Sequence, residues 1–102
     1  MTYRRVMKAD DLWEGETTGV VVGDTPVLLA NVGGVVRAYA DRCAHQGVAL
    51  SRVRPAGKVL TCWAHGWKYD LLTGEGLNPR GVALTRFPLK IEEGEIWVDV
   101  DA

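Results

Sequence analysis

The chain holds two cysteines and two histidines, and all four fall between Cys43 and His65. They stand in two boxes, Cys43-Ala44-His45 and, sixteen residues on, Cys62-Trp63-Ala64-His65. Alternate residues of an extended segment project to one side, so Cys43 and His45 can address one object together. Cys62 and His65, three apart, can do the same from a tight loop. If the two boxes face each other, they form a four-donor site of two thiols and two imidazoles. Any fold for this chain has to present two loops to one another.

Four chemistries use such residues. A disulfide between Cys43 and Cys62 leaves both histidines unexplained and is disfavoured in a reducing compartment. Structural zinc accepts two Cys and two His, but its usual spacing keeps Cys with Cys and His with His. A Cys/His nucleophile pair needs one of each. A [2Fe–2S] cluster with two Cys on one iron and two His on the other uses all four residues, one of each kind per box. A zinc-braced interaction module is the non-redox alternative, and colour separates the two, since zinc protein is colourless and such a cluster is red-brown.

With 102 residues, the chain has room for one domain, read here as 1–102, and not for a multi-domain enzyme. Twelve glycines and short β-type runs at 3–7, 17–22, 27–30, 35–39, 59–62, 83–87, 89–92 and 95–100 predict an all-β protein, a small antiparallel sandwich or barrel. Gly23-Asp24, Gly33-Gly34, Pro55-Ala56-Gly57, Thr73-Gly74 and Glu93-Gly94 mark the turns. Only 9–15 reads as helical, and Trp13 and Trp97 read as core or sheet-face residues. No apolar stretch approaches the ~20 residues that span a bilayer. No apolar segment follows the basic N-terminal residues, so the cytoplasm is the expected compartment. Formal charge totals −1, which gives no bulk attraction to nucleic acid or membrane. The stretch 42–86, however, carries seven basic residues, Arg52 and Lys68 among them, against Asp70 and Glu75. Such a basic zone around the boxes can steer an acidic partner.

The motifs C-A-H-Q-G and C-W-A-H-G-W-K-Y-D resemble the two cluster-binding boxes of Rieske proteins. K-A-D-D-L-W-E-G-E, L-L-T-G-E-G-L-N-P and F-P-L-K-I-E-E-G-E-I-W-V-D-V extend the likeness to small bacterial Rieske ferredoxins over nearly the whole chain. Within that group, G-E-G-L-N-P followed by F-P-L-K-I is most similar to the ferredoxin component of multicomponent toluene or alkene monooxygenases.

The resemblance implies a Rieske fold with two cluster-binding loops at one tip and one Rieske-type [2Fe–2S] cluster. Cys43 and Cys62 would bind the buried iron, and His45 and His65 the outer one. Gly47 and Gly66 follow ligand positions, where they let backbone amides approach the sulfides or simply form tight turns. Trp63 and Trp67 flank His65, where they shield the cluster or present an apolar docking patch. Pro79 would lie in the third loop over the cluster.

Respiratory Rieske proteins staple the two loops with a second Cys pair, which this chain lacks. They also have a serine donor where Trp67 stands, and they share the tyrosine at Tyr69, which either donates to a Cys sulfur or packs. Losing a donor lowers the expected potential toward the lower half of the roughly −150 to +300 mV Rieske range.

The implied function is one-electron transport in aromatic hydrocarbon catabolism, without catalysis. The donor would be an NADH-dependent flavin reductase and the acceptor a diiron monooxygenase hydroxylase. The redox alternatives are a ferredoxin of an aromatic-ring dioxygenase and the small Rieske subunit of a nitrite reductase. A monomer is expected, because a carrier meets two partners in turn.

Overall fold

The computed structural model describes residues 2–43, 49–64 and 66–101. Its strands are β1 (Arg4–Lys8), β2 (Thr17–Val22), β3 (Thr25–Val32), β4 (Val35–Ala40), β5 (Val59–Thr61), β6 (Lys68–Asp70), β7 (Gly76–Asn78), β8 (Arg86–Phe87), β9 (Leu89–Glu92) and β10 (Glu95–Val98). All pair antiparallel, in three sheets ordered β1-β10-β9, β2-β3-β4-β8 and β5-β6-β7. Two-residue turns set the register. Gly33 and Gly34 at φ +60° and +87° close β3 onto β4, and Glu93 and Gly94 at +53° and +76° close β9 onto β10. Hairpins that follow strand twist need such left-handed values at both turn positions.

The β3 run Val27-Leu28-Leu29-Ala30 is fully buried, and its period of two divides it between two cores. Val27 and Leu29 pack with Val36, Ala38 and Phe87 against Ile96 and Val98 of β10. Leu28 and Ala30 pack with Tyr39 against Leu60, Tyr69 and Leu71. The four-stranded sheet is thus the middle layer, apolar on both faces. Its second core is the one that receives the boxes.

The structure corrects several sequence expectations. The segment 9–15, expected to be helical for about one turn, holds a single 3-10 turn confined to Ala9–Asp11. The segment after it is held by side chains instead, with Asn31 Nδ2 donating to the Leu12 carbonyl at 2.9 Å and the Trp13 amide donating to Glu16 Oε1 at 2.7 Å. Leu12 takes the core position, and Trp13 is 71% exposed rather than buried. Of 83–87, only Arg86–Phe87 pairs as a strand, while Ala83 makes one isolated bridge to Glu75. Trp97 does lie on a sheet, with Lys90 Nζ 5.7 Å from its ring centroid. No helix among the described residues is long and apolar enough to cross a membrane.

Candidate metal centre

Cys43 follows β4 and Cys62 follows β5, so each box begins where a strand of a different sheet ends. Both cysteines are buried, at 3% and 1% exposure, in one cluster with Leu50, Leu60, Tyr69 and Leu71. Trp67, Ala64 and Val82 pack on the outside of that cluster. The second box is wound tightly: the Cys62 amide donates to the Trp67 carbonyl at 2.7 Å, and the Gly66 amide to the Cys62 carbonyl at 2.9 Å. Gly66 sits at φ +74°, a value that strains any side-chain-bearing residue. Its own amide is committed to the turn.

Tyr69 stands on β6 opposite Leu60, and its hydroxyl lies 3.3 Å from Cys43 Sγ. Against an ionised, metal-bound sulfur the hydroxyl is the donor. With a metal held there, that contact would favour added negative charge on the site and so raise the reduction potential. Tyr69→Phe is expected to lower the midpoint by about 50 mV, the one-electron equivalent of a ~1 kcal/mol hydrogen bond, with the cluster retained. Redox titration checks it, and an unchanged midpoint would make Tyr69 a packing residue. Tyr39, on the same core, donates to the Leu71 carbonyl at 2.7 Å. Burial pushes its pKa up despite nearby Arg86 and Arg37, so it remains a donor.

The first box is anchored by residues that the motif reading missed. The buried Asp41 carboxylate accepts the Leu50 amide at 2.7 Å, the Ser51 amide at 2.8 Å and the Ser51 hydroxyl at 2.6 Å. It thereby joins the two ends of the segment that carries Cys43 and His45. Across from it on β2 is Gly19, where a Cβ would lie 2.6 Å from Ser51 Oγ and 3.1 Å from Asp41 Oδ2. A glycine inside the β-branched run T-T-G-V-V-V was the available signal, since such a glycine marks a close approach.

The Pro79 loop hangs from β7, whose Gly76 pairs with Tyr69 and Asn78 with Lys68. The Gly76 amide donates to the Val82 carbonyl at 2.7 Å and closes the loop. A Cβ on Gly76 would stand 2.6 Å from the Pro79 carbonyl oxygen, so only glycine permits this closure. The half-buried Pro79 is therefore fixed beside the strand that carries Tyr69.

Of the sequence-predicted site residues, Cys43, Cys62 and Tyr69 come together in one buried cluster, with Trp67 packed against it. Trp63 is half exposed, and its indole N–H donates to the Ala49 carbonyl at 3.1 Å. His45, Gly47 and His65 lie outside the described residues. Two buried thiols on facing loops, one beside a hydroxyl donor, fit a soft, sulfur-bound centre.

Comparison with known proteins identifies the class. The family model for the Rieske [2Fe-2S] domain matches residues 2–88, and the chain belongs to that family. Over 101 residues it is 40% identical to the ferredoxin component of the alkene monooxygenase system of Xanthobacter autotrophicus, covering 97% of this chain and 82% of that protein. It is also 40% identical over 106 residues to the terminal oxygenase component of carbazole 1,9a-dioxygenase from a Sphingomonas species, but it spans only 28% of that protein's length. Among solved structures, a complex of reduced oxygenase and oxidised ferredoxin in carbazole 1,9a-dioxygenase matches with TM-score 0.84 at 32% identity, covering 94% of this chain and 91% of that one. The protein is accordingly an electron carrier with one Rieske-type cluster, not a catalyst.

Proposed function

We propose that this chain, one Rieske domain over 1–102, carries single electrons from an NADH-dependent flavin reductase to the diiron hydroxylase of a hydrocarbon monooxygenase. Cys43 and Cys62 would hold the buried iron, and His45 and His65 the outer iron. The observation that carries the choice of partner is the 40% identity to an alkene monooxygenase ferredoxin along most of both chains. Strands β9 and β10 lie beyond the matched 2–88, but β9 pairs with β10 and β10 with β1, which supports reading them as part of the same domain. A cytoplasmic, monomeric carrier suits an NADH-fed donor and two partners met in turn.

When bound, the cluster takes up and releases one electron. The chain's own residues do the rest. Burial of Cys43 and Cys62 keeps water from the sulfurs, and Tyr69 supplies a donor to one of them. Asp41 holds the first box closed, and the Cys62–Gly66 and Cys62–Trp67 hydrogen bonds hold the second.

The ferredoxin of an aromatic-ring dioxygenase is the second reading, supported by the fold match to the carbazole dioxygenase ferredoxin complex. Reduced protein mixed with each purified acceptor separates the two. Faster electron transfer to the diiron hydroxylase is expected, and a clear preference for the dioxygenase would reverse the assignment.

Charge enters the same assay. Lys58 lies 3.4 Å from the Asp70 carboxylate, whereas exposed Lys68, beside the second box, reaches the neutral Thr61 hydroxyl at 3.3 Å. Lys68→Glu is expected to slow electron transfer roughly two- to fivefold at low salt. The difference should fade as salt rises past about 0.1 M, where the screening length is ~10 Å. Rates indifferent to both changes would leave the basic zone without a docking role.

A further inference from the structure

With two cysteines in all, the chain cannot join its ligand loops by a disulfide and keep both thiols for a metal. Yet the loops leave different sheets, and their mutual placement has to be held by something. The Trp63 indole N–H, on the second box, donates to the Ala49 carbonyl at the far end of the first. Its neighbours in sequence are Cys62 and, two residues on, His65. Ala49 in turn immediately precedes Leu50, whose amide is held by Asp41. One short path therefore runs from the base of the first box, through Asp41, Leu50 and Ala49, to the indole that projects from the second.

We propose that Trp63 is a positioning residue: its indole N–H braces the second ligand loop against the first, in the place of a covalent staple. The inference rests on the ligand assignment above. The ring is half exposed, and its N–H bond reaches across the gap between the boxes. A hydrogen bond of this kind is indifferent to thiol reductants, which suits a carrier working in a reducing compartment. It adds a donor across the gap to the packing the two boxes share, so its loss should loosen the metal environment without unfolding the sheets.

A pair of variants in the holoprotein separates donor from ring. Trp63→Phe keeps an apolar ring and removes the donor, and Trp63→Gln keeps an N–H donor of similar reach and removes the ring. For Trp63→Phe we expect iron release to a chelator about fivefold faster, the scale one hydrogen bond supports, with a broadened EPR signal in the reduced state. Trp63→Gln should stay nearer the wild type in both. Should Trp63→Phe fail to fold, Trp63→Gln against Trp63→Leu makes the same comparison. If Phe behaves as wild type and Gln does not, Trp63 acts through packing and the brace is wrong. Wild-type protein that shows no Rieske-type EPR signal would instead overturn the ligand assignment, and the brace with it.

Discussion

Cys43→Ala is expected to yield protein with almost no bound iron and a much lower melting temperature. Cys43 is 3% exposed and packs in the same core as Cys62, Leu50, Leu60 and Tyr69. Removing it takes away a proposed metal ligand, opens a small void and leaves the Tyr69 hydroxyl without the sulfur 3.3 Å away. In a chain of 102 residues the apolar core is thin, so the free energy of holding the metal is a large part of the free energy of folding. A loss of at least about 3 kcal/mol, or roughly 15 °C in melting temperature, is expected. Iron analysis and a thermal melt of the purified variant check both parts. Iron content equal to wild type would remove Cys43 from the ligand set.

Asp41→Ala should be the next most damaging change, although Asp41 binds no metal in this account. The substitution strips three acceptor contacts at once and leaves the amides of Leu50 and Ser51 without their partner beside a fully buried leucine. Buried groups left unsatisfied cost about 1–3 kcal/mol each, so a loss of roughly 2–4 kcal/mol is expected, with faster iron release. Asp41→Asn keeps one oxygen for the two amides, and its NH2 can donate to Ser51 Oγ, so it should cost about 1 kcal/mol or less. Melts of both variants decide the matter. An alanine variant within a few degrees of wild type would show that the first box does not depend on this anchor.

The boxes were legible because ligand chemistry demands particular residue types at short spacing, and four Cys and His residues in a 23-residue window leave few arrangements. The hairpins β2–β3, β3–β4 and β9–β10 were legible for a similar reason: Gly23, Gly33, Gly34 and Gly94 mark turns that need left-handed backbone. Of the third sheet, only β5 was, within the run 59–62. β6 (Lys-Tyr-Asp) and β7 (Gly-Leu-Asn) are three residues each, too short for a period of two to show, and they exist because β6 pairs with β5 on one side and β7 on the other.

Trp13 misled for the opposite reason. Its size suggests burial, but Leu12 beside it fills the core, and Trp13 is left outside with its indole N–H on the Asp10 carbonyl. Asp41 escaped notice because a lone carboxylate has no motif of its own. Its role depends on Ser51, ten residues away, and on the space that Gly19 leaves on a neighbouring strand. Tyr69 was singled out by its matching position in the resembled family, and the 3.3 Å from its hydroxyl to Cys43 Sγ is what favours a donor over a packing residue.

One [2Fe–2S] cluster held jointly by Cys43, Cys62, His45 and His65 can be read by pulsed EPR of the reduced protein, purified without air and labelled with 15N at histidine only, alongside iron and sulfide analysis. About two iron and two acid-labile sulfides per chain are expected, with two histidine nitrogens coupled to the electron spin. His45→Cys or His65→Cys should each remove one of those couplings. Zinc without sulfide, or a cluster signal carrying no histidine nitrogen coupling, would contradict that assignment.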